Sequence, residues 1–155
     1  DQEEAMSISD QIVIMRDGFL QQVASPREMY DDPVNEFVAK FLGNPPINMI
    51  KSKSKKGIIN IEGLEIEAKG IEDGEIIAGV RPEAFRLDAK SPVQLEVQAF
   101  EYFGREILLF VYLEGVLSRV LIDSDFPVEK GEKVGLSLKD GGTLFFDTEG
   151  QRIYV

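Results

Sequence analysis

Past Met49 the chain becomes a succession of short apolar runs set roughly ten residues apart and punctuated by Gly and Asp, a spacing that fits a small barrel or sandwich and not a parallel sheet. Residues 57–61 and 64–68 flank Glu62-Gly63, a dipeptide suited to a tight turn. Residues 76–80 form the next run, and Pro82 stops its ladder. Val93, Leu95, Val97 and Ala99 alternate with Gln94, Glu96 and Gln98, the period of one half-buried strand. Residues 107–113 are continuously apolar and read as a strand covered on both faces or lying near a barrel closure. Further runs at 116–122, 134–138, 144–146 and 152–155 complete the set, so the expected class is mainly β.

Before Met49 the signals change. Residues 3–9 read as the end of a helix. Residues 11–16 and 19–24 flank Asp17-Gly18 and predict a hairpin. Ser25, Pro26 and Glu28 supply a cap, a first-turn proline and the reciprocal capping-box acid for a short helix. A second helix is predicted with Asp32 as cap and Pro33 in its first position. It carries Val34, Phe37, Val38, Phe41 and Leu42 on one face and ends at Gly43 and Pro45-Pro46. That stripe is expected to pack on a body outside this sequence. The expected division is therefore residues 1–49, a short helical N-terminal segment, and residues 50–155, a small β-barrel.

The chemistry open to the chain is narrow. It has no His and no Cys, which excludes the usual zinc sites, Ser-His or Cys-His nucleophiles and disulfides. It has no Gly-Lys dipeptide, so no Gly-x-x-x-x-Gly-Lys-Ser/Thr loop to surround a nucleotide's phosphates. Asp123-Ser124-Asp125 imitates the start of a calcium loop, but Pro127 stands at the third ligand position; Glu72-Asp73-Gly74-Glu75 reads as a turn. No catalytic, cofactor-binding or metal residue is assigned. Net charge is −11. Residues 1–49 hold nine acids against three bases, and the rest nineteen against fourteen. Lys51, Lys53, Lys55 and Lys56 form the one basic run, read as a solvated turn or a protected strand edge. No apolar run approaches the ~18 residues of a membrane span, and the acidic N-terminus is unlike a signal peptide. The expectation is a soluble, cytosolic fragment.

Two groups of residues carry a family resemblance. The first is the ordered series Asp1-Gln2-Glu3-Glu4-Ala5-Met6, residues 12–18, Ser25-Pro26-Arg27-Glu28-Met29-Tyr30, Asp32-Pro33 and residues 37–49. It resembles the C-terminal end of the ATP-binding subunit of ABC importers, in the branch for sugars, glycerol phosphate and polyamines. The second is Gly79-Val80-Arg81-Pro82-Glu83, similar to the marker of the transport-associated OB (TOBE) domain, an OB-like small β-barrel. Residues 145–153 also look like the closing strand of the sugar-importer subunits.

The resemblance implies a regulatory and dimerising part of a sugar importer's ATPase, without the ATP site. A switch-region His would stand one position before Asp1. ATP and Mg would belong to the intact subunit, not to this part. Implied partners are a second copy, the transmembrane permease subunits and a regulatory protein, at the inner face of the cell membrane. Asp1, Gln2, Glu3 and Glu4 would lie near the nucleotide dimer interface. Asn48 would mark the crossing into the barrel. Arg81 and Glu83 would hold the barrel's own contacts; the residues themselves read as an Arg paired to a carboxylate at a strand end, with an inter-subunit contact as the alternative.

Two other classes are weighed beside it. Residues 137–142, Ser-Leu-Lys-Asp-Gly-Gly, offer amides and side chains for an oxyanion or metabolite sensor. Phe100, Tyr102, Phe103, Phe110 and Tyr112 offer rings for an oligonucleotide-binding OB fold, but the charge of −11 opposes it, and no nucleic-acid partner is expected.

Overall fold

The computed structural model describes residues 2–123, 125 and 127–155, the side chains of Gln2 and Glu3 excepted. Asp1 and the Gln2 and Glu3 side chains therefore lie outside the described residues, as does Ser124 of the Asp-Ser-Asp run. Helix α1 (Gln2–Ile8) leads into a hairpin of β1 (Ile12–Arg16) and β2 (Phe19–Ala24). Asp17 and Gly18 both take positive φ at its tip, as a two-residue turn with the right twist requires. Helix α2 (Pro26–Asp31) has the predicted capping box: the Ser25 hydroxyl accepts from the Glu28 amide, and the Ser25 amide donates to the Glu28 carboxylate.

The second helix departs from the expectation. Helix α3 (Glu36–Phe41) begins three residues later, capped by Asn35, whose Oδ1 accepts from the Val38 amide at 2.9 Å. Asp32 instead ends α2, its amide donating to the Glu28 carbonyl at 2.7 Å. The backbone of Val34 is committed elsewhere, donating to Gln22 Oε1 and accepting from the Arg152 amide, and Asn35 bridges to Gln151. Pairing with the far end of the chain overrides the local helix signal at Pro33. The apolar stripe is corrected too. Val38 and Leu42 are sealed against Ile14 and Met29, with Met6, Ile12, Ala24, Tyr30, Val34 and Phe37 around them. The partner is the chain's own hairpin and α2; Phe41 remains 43% exposed.

The barrel strands are β3 (Asn48–Lys55), β4 (Ile58–Ile61), β5 (Leu64–Glu67), β6 (Gly74–Val80), β7 (Phe85–Leu87), β8 (Gln94–Glu96) and β9 (Ala99–Phe103). They continue as β10 (Glu106–Leu113), β11 (Val116–Asp123), β12 (Lys133–Leu138), β13 (Thr143–Phe146) and β14 (Arg152–Ile153). Among the described residues they form a six-stranded sheet β14-β13-β6-β3-β4-β5 and two three-stranded sheets, β11-β10-β9 and β7-β12-β8. The pairings are antiparallel, and the sheets wrap one core without closing into a single ladder. This is the mainly β, OB-like architecture expected.

Alternating inward residues of each strand build that core: Ile50, Ile59, Ile61, Ile76, Ala78, Val80, Leu109, Val111, Leu113, Val120 and Leu136 are nearly or fully buried. The single strand predicted over 93–99 is two. The Val97 amide donates to Glu132 and the Gln98 amide to Phe110, so the chain changes neighbours there and turns a barrel corner. The 107–113 run is covered on both faces only in part, since Tyr112 is 50% exposed. Lys51, Lys53 and Lys55 do not guard an edge: β3 is interior to its sheet, and these three share its solvent face.

Two turns close one end of the barrel. Glu62 and Glu114 both take positive φ before a Gly, and each carboxylate accepts the other's amide at 2.7 Å. Among the described residues no helix is long and apolar enough to cross a membrane.

Candidate functional site: the junction between the helical segment and the barrel

The marker pentapeptide lies where the N-terminal segment meets the barrel, and each of its residues has a separate task. Gly79 faces a seam of Ala39, Ile47 and Phe146, with Met49, Ile77 and Leu144 packed beside it. A Cβ at Gly79 would stand 3.0 Å from the Phe146 ring and 3.1 Å from Ile47, so only glycine lets these side chains approach the strand. Val80 turns inward and is 1% exposed. Arg81 leaves the strand, and Pro82 begins a single 3-10 turn over Pro82–Ala84.

Arg81 is buried, yet its partners are carbonyls and not the carboxylate the sequence suggests. Nη2 donates to the Tyr30 carbonyl at 2.9 Å and Nη1 to the Leu42 carbonyl at 3.2 Å. These oxygens sit at the C-terminal ends of α2 and α3, where helices leave acceptors unpaired. One planar fork thus satisfies the ends of two helices, an arrangement a lysine's point charge cannot reproduce. The guanidinium also stacks on the Tyr30 ring, 3.7 Å from its centre. Gly43 makes room for it: its φ is +101°, and a Cβ there would lie 3.1 Å from Nη1.

Glu83 completes the clasp. Its carboxylate accepts from the Tyr30 hydroxyl, and its carbonyl accepts from Lys139 Nζ at 2.7 Å. Burial lowers the Arg81 pKa from its ordinary value, while the charges of Tyr30, Glu83 and Asp31 oppose that loss. Burial also raises the Tyr30 hydroxyl above its ordinary 10.0; the bond to Glu83 adds to the rise, and the Arg81 charge works against it. A tyrosine that holds its proton more tightly when folded contributes stability below pH 10 that is lost as pH rises beyond it. Tyr30→Phe should therefore cost about 1 kcal/mol near neutrality, the worth of one hydrogen bond. That difference from the parent should shrink by up to about 1.4 kcal/mol per pH unit above 10. Urea unfolding from neutral pH upward measures both, and a difference independent of pH would contradict the assignment.

Asn48 occupies the second node. It is 5% exposed; its Nδ2 donates to the Val80 and Arg119 carbonyls at 3.0 and 2.8 Å, and its Oδ1 accepts from the Arg119 amide at 2.8 Å. The amide side chain behaves as a short piece of backbone, joining β3 and β6 to β11. Arg152 forms the third node, donating to Asp32 Oδ1 at 2.8 Å and to the Pro33 carbonyl at 3.1 Å. Beside it the Glu36 amide donates to the Gly150 carbonyl at 2.8 Å.

The structure thus brings Arg81 and Glu83 together across the junction and places Asn48 at its barrel side. Glu4 lies apart, exposed on α1, where its carbonyl accepts from the Ser7 hydroxyl. The sequence does not mark Tyr30, Arg152 or Arg119 for this junction, and marks Lys139 only for an oxyanion site, because each is defined by a partner between 51 and 119 residues away. Residues 137–142 make a poor oxyanion cradle. The Lys139 ammonium is committed to Glu83, and the groove beside it is lined by Glu65, Glu67 and Asp140.

This open barrel, with its marker strand clasping a helical segment, is a TOBE domain: residues 78–146 match the family model of that description. The longer matches extend the identification. The chain is 32% identical over 158 residues to the sn-glycerol-3-phosphate import ATP-binding protein of Jannaschia sp. (strain CCS1), covering 99% of this chain and 45% of that protein. It is 28% identical over 166 residues to the oligosaccharides import ATP-binding protein of Bacillus subtilis (strain 168), covering 96% and 46%. It is 32% identical over 165 residues to the Fe(3+) ions import ATP-binding protein of Fusobacterium nucleatum, covering 98% and 43%. The chain belongs to the family of TOBE-bearing ATP-binding subunits of ABC importers, and it spans less than half the length of these relatives.

Proposed function

We propose that this chain is the regulatory and dimerising C-terminal part of the ATP-binding subunit of a sugar importer. Residues 1–49 would be the end of its nucleotide-binding domain and residues 50–155 its TOBE domain. The observation that carries this reading is the Arg81 clasp. A buried guanidinium that terminates two helices of the N-terminal segment makes the barrel move with that segment, as a regulatory module must. ATP and Mg would be held by other parts of the subunit, since this sequence contains no phosphate-binding loop. The coupled permease subunits would place the assembly at the inner face of the membrane, with a regulatory protein as a further partner.

The substrate is the finer part of the proposal. The relatives carry glycerol phosphate, oligosaccharide and Fe(3+) in their names at similar identity, so sequence likeness alone does not single out one cargo. Sedimentation of the 155-residue chain over a rising concentration series tests the dimerising role, and calorimetry with MgATP tests the division of labour. Reversible dimer formation without nucleotide binding is the expected result. A strict monomer at the highest concentration would remove the dimerising role, and tight ATP binding would overturn the proposal.

A further inference from the structure

The six-stranded sheet ends at β5, and among the described residues no strand pairs with its outer side. The two-residue turn at Glu62-Gly63 fixes the phase of the hairpin. Ile61 and Leu64 close it, Ile59 faces Ile66, and the Ala68 amide donates to the Gly57 carbonyl at 2.8 Å. Leu64, Ile66 and Ala68 therefore direct their backbone groups to β4, while Glu65 and Glu67 direct theirs outward. Alongside this edge runs a groove of about 500 Å³ whose walls are residues 65–67 and 138–143. We propose that the free edge of β5 receives an extended segment of a partner protein as an added strand, and that this segment alternates apolar and basic residues.

The side chains set that alternation. Leu64 is buried and Ile66 is packed against the core, so residues of an added strand on that face meet apolar surface, including Leu138. Residues on the other face stand beside Glu65 and Glu67, both exposed, with Asp140 across the groove. Lys139, the basic residue of that wall, is committed to the Glu83 carbonyl. Lys69 lies 3.6 Å from Glu67, but both side chains are more than three-quarters exposed, so an incoming cation displaces little. A second copy of this chain is a poor occupant, because two β5 edges would bring Glu65 and Glu67 against the same acids. The charge of −11 repels other acidic strands and draws basic ones. This is strand addition at an exposed sheet edge, with main-chain bonds giving affinity and alternate side chains giving selectivity. It goes beyond the importer reading and does not depend on whether the barrels pair.

The probe is an end-blocked hexapeptide alternating valine and lysine, titrated into the 155-residue chain at low salt and followed by amide NMR. The expected result is shifts centred on Glu65 and Glu67, with protection of both amides from exchange. The same peptide N-methylated at alternate residues, unable to complete the ladder, should bind at least about tenfold more weakly to the unaltered chain. The double variant Glu65→Lys/Glu67→Lys, altered only at exposed positions, should lose the valine–lysine peptide and gain a valine–glutamate one. Shifts centred elsewhere, indifference to N-methylation, or unchanged preference after charge reversal would each overturn the inference.

Discussion

Replacing Arg81 by alanine is expected to release the N-terminal segment while the barrel stays folded. The substitution removes both hydrogen bonds to the Tyr30 and Leu42 carbonyls and the stack on Tyr30, and it leaves two helix-end acceptors without a partner. At about 1–3 kcal/mol for each buried unsatisfied group, the joint loses roughly 3 kcal/mol after partial relaxation. The loss falls on one side, because the barrel core is built without Arg81, whereas Ile14, Met29, Val38 and Leu42 form only a small separate cluster. Amides of α2 and α3 should lose roughly a hundredfold in exchange protection, the factor that energy corresponds to, with β6 and β10 unchanged. Arg81→Lys should recover only part, since an ammonium cannot fork to two carbonyls while lying flat on a ring. Unaltered protection in α2 and α3, or joint loss of segment and barrel in one transition, would contradict this account.

The features legible in the sequence are those whose causes lie within a few residues. Ser25, Pro26 and Glu28 announced α2, and Asp17-Gly18 announced the hairpin, because caps and two-residue turns are local chemistry. The β-run spacing gave the class of fold, and Gly79 to Glu83 pointed to the right strand. What was hidden depends on the other end of the chain. Pro33 and Asp32 have the local form of a helix start, but Gln151 and Arg152 hold residues 32–35 outside any helix, and Gly150 takes the first amide of α3. Arg81 stands two residues from Glu83, which suggests an ion pair. The carboxylate serves Tyr30 instead, and the guanidinium serves two helix ends delivered from 39 and 51 residues away. Nothing in the residues around Tyr30 marks it as the ring on which Arg81 lies.

Asn48→Ala is expected to cost the barrel about 3 kcal/mol, a large loss for an amide side chain that touches no ligand. It removes a second bond to the Val80 carbonyl, which keeps its ladder partner on β3, and strands both backbone polar groups of Arg119, on strands that other residues hold in place and that cannot close on the gap. Asn48→Asp separates this reading from simple loss of packing, because the two side chains have nearly the same shape. A carboxylate can still accept from the Arg119 amide, but it sets a buried negative charge against two carbonyl oxygens. At neutral pH the aspartate variant should therefore be at least as unstable as the alanine variant. Protonation on acidification restores one donor, so its deficit relative to the parent should narrow toward about pH 4 while that of the alanine variant stays constant. Urea unfolding of the three proteins at both pH values measures this, and an aspartate variant as stable as the parent at neutral pH would show that donation to Val80 and Arg119 does not join β3 and β6 to β11.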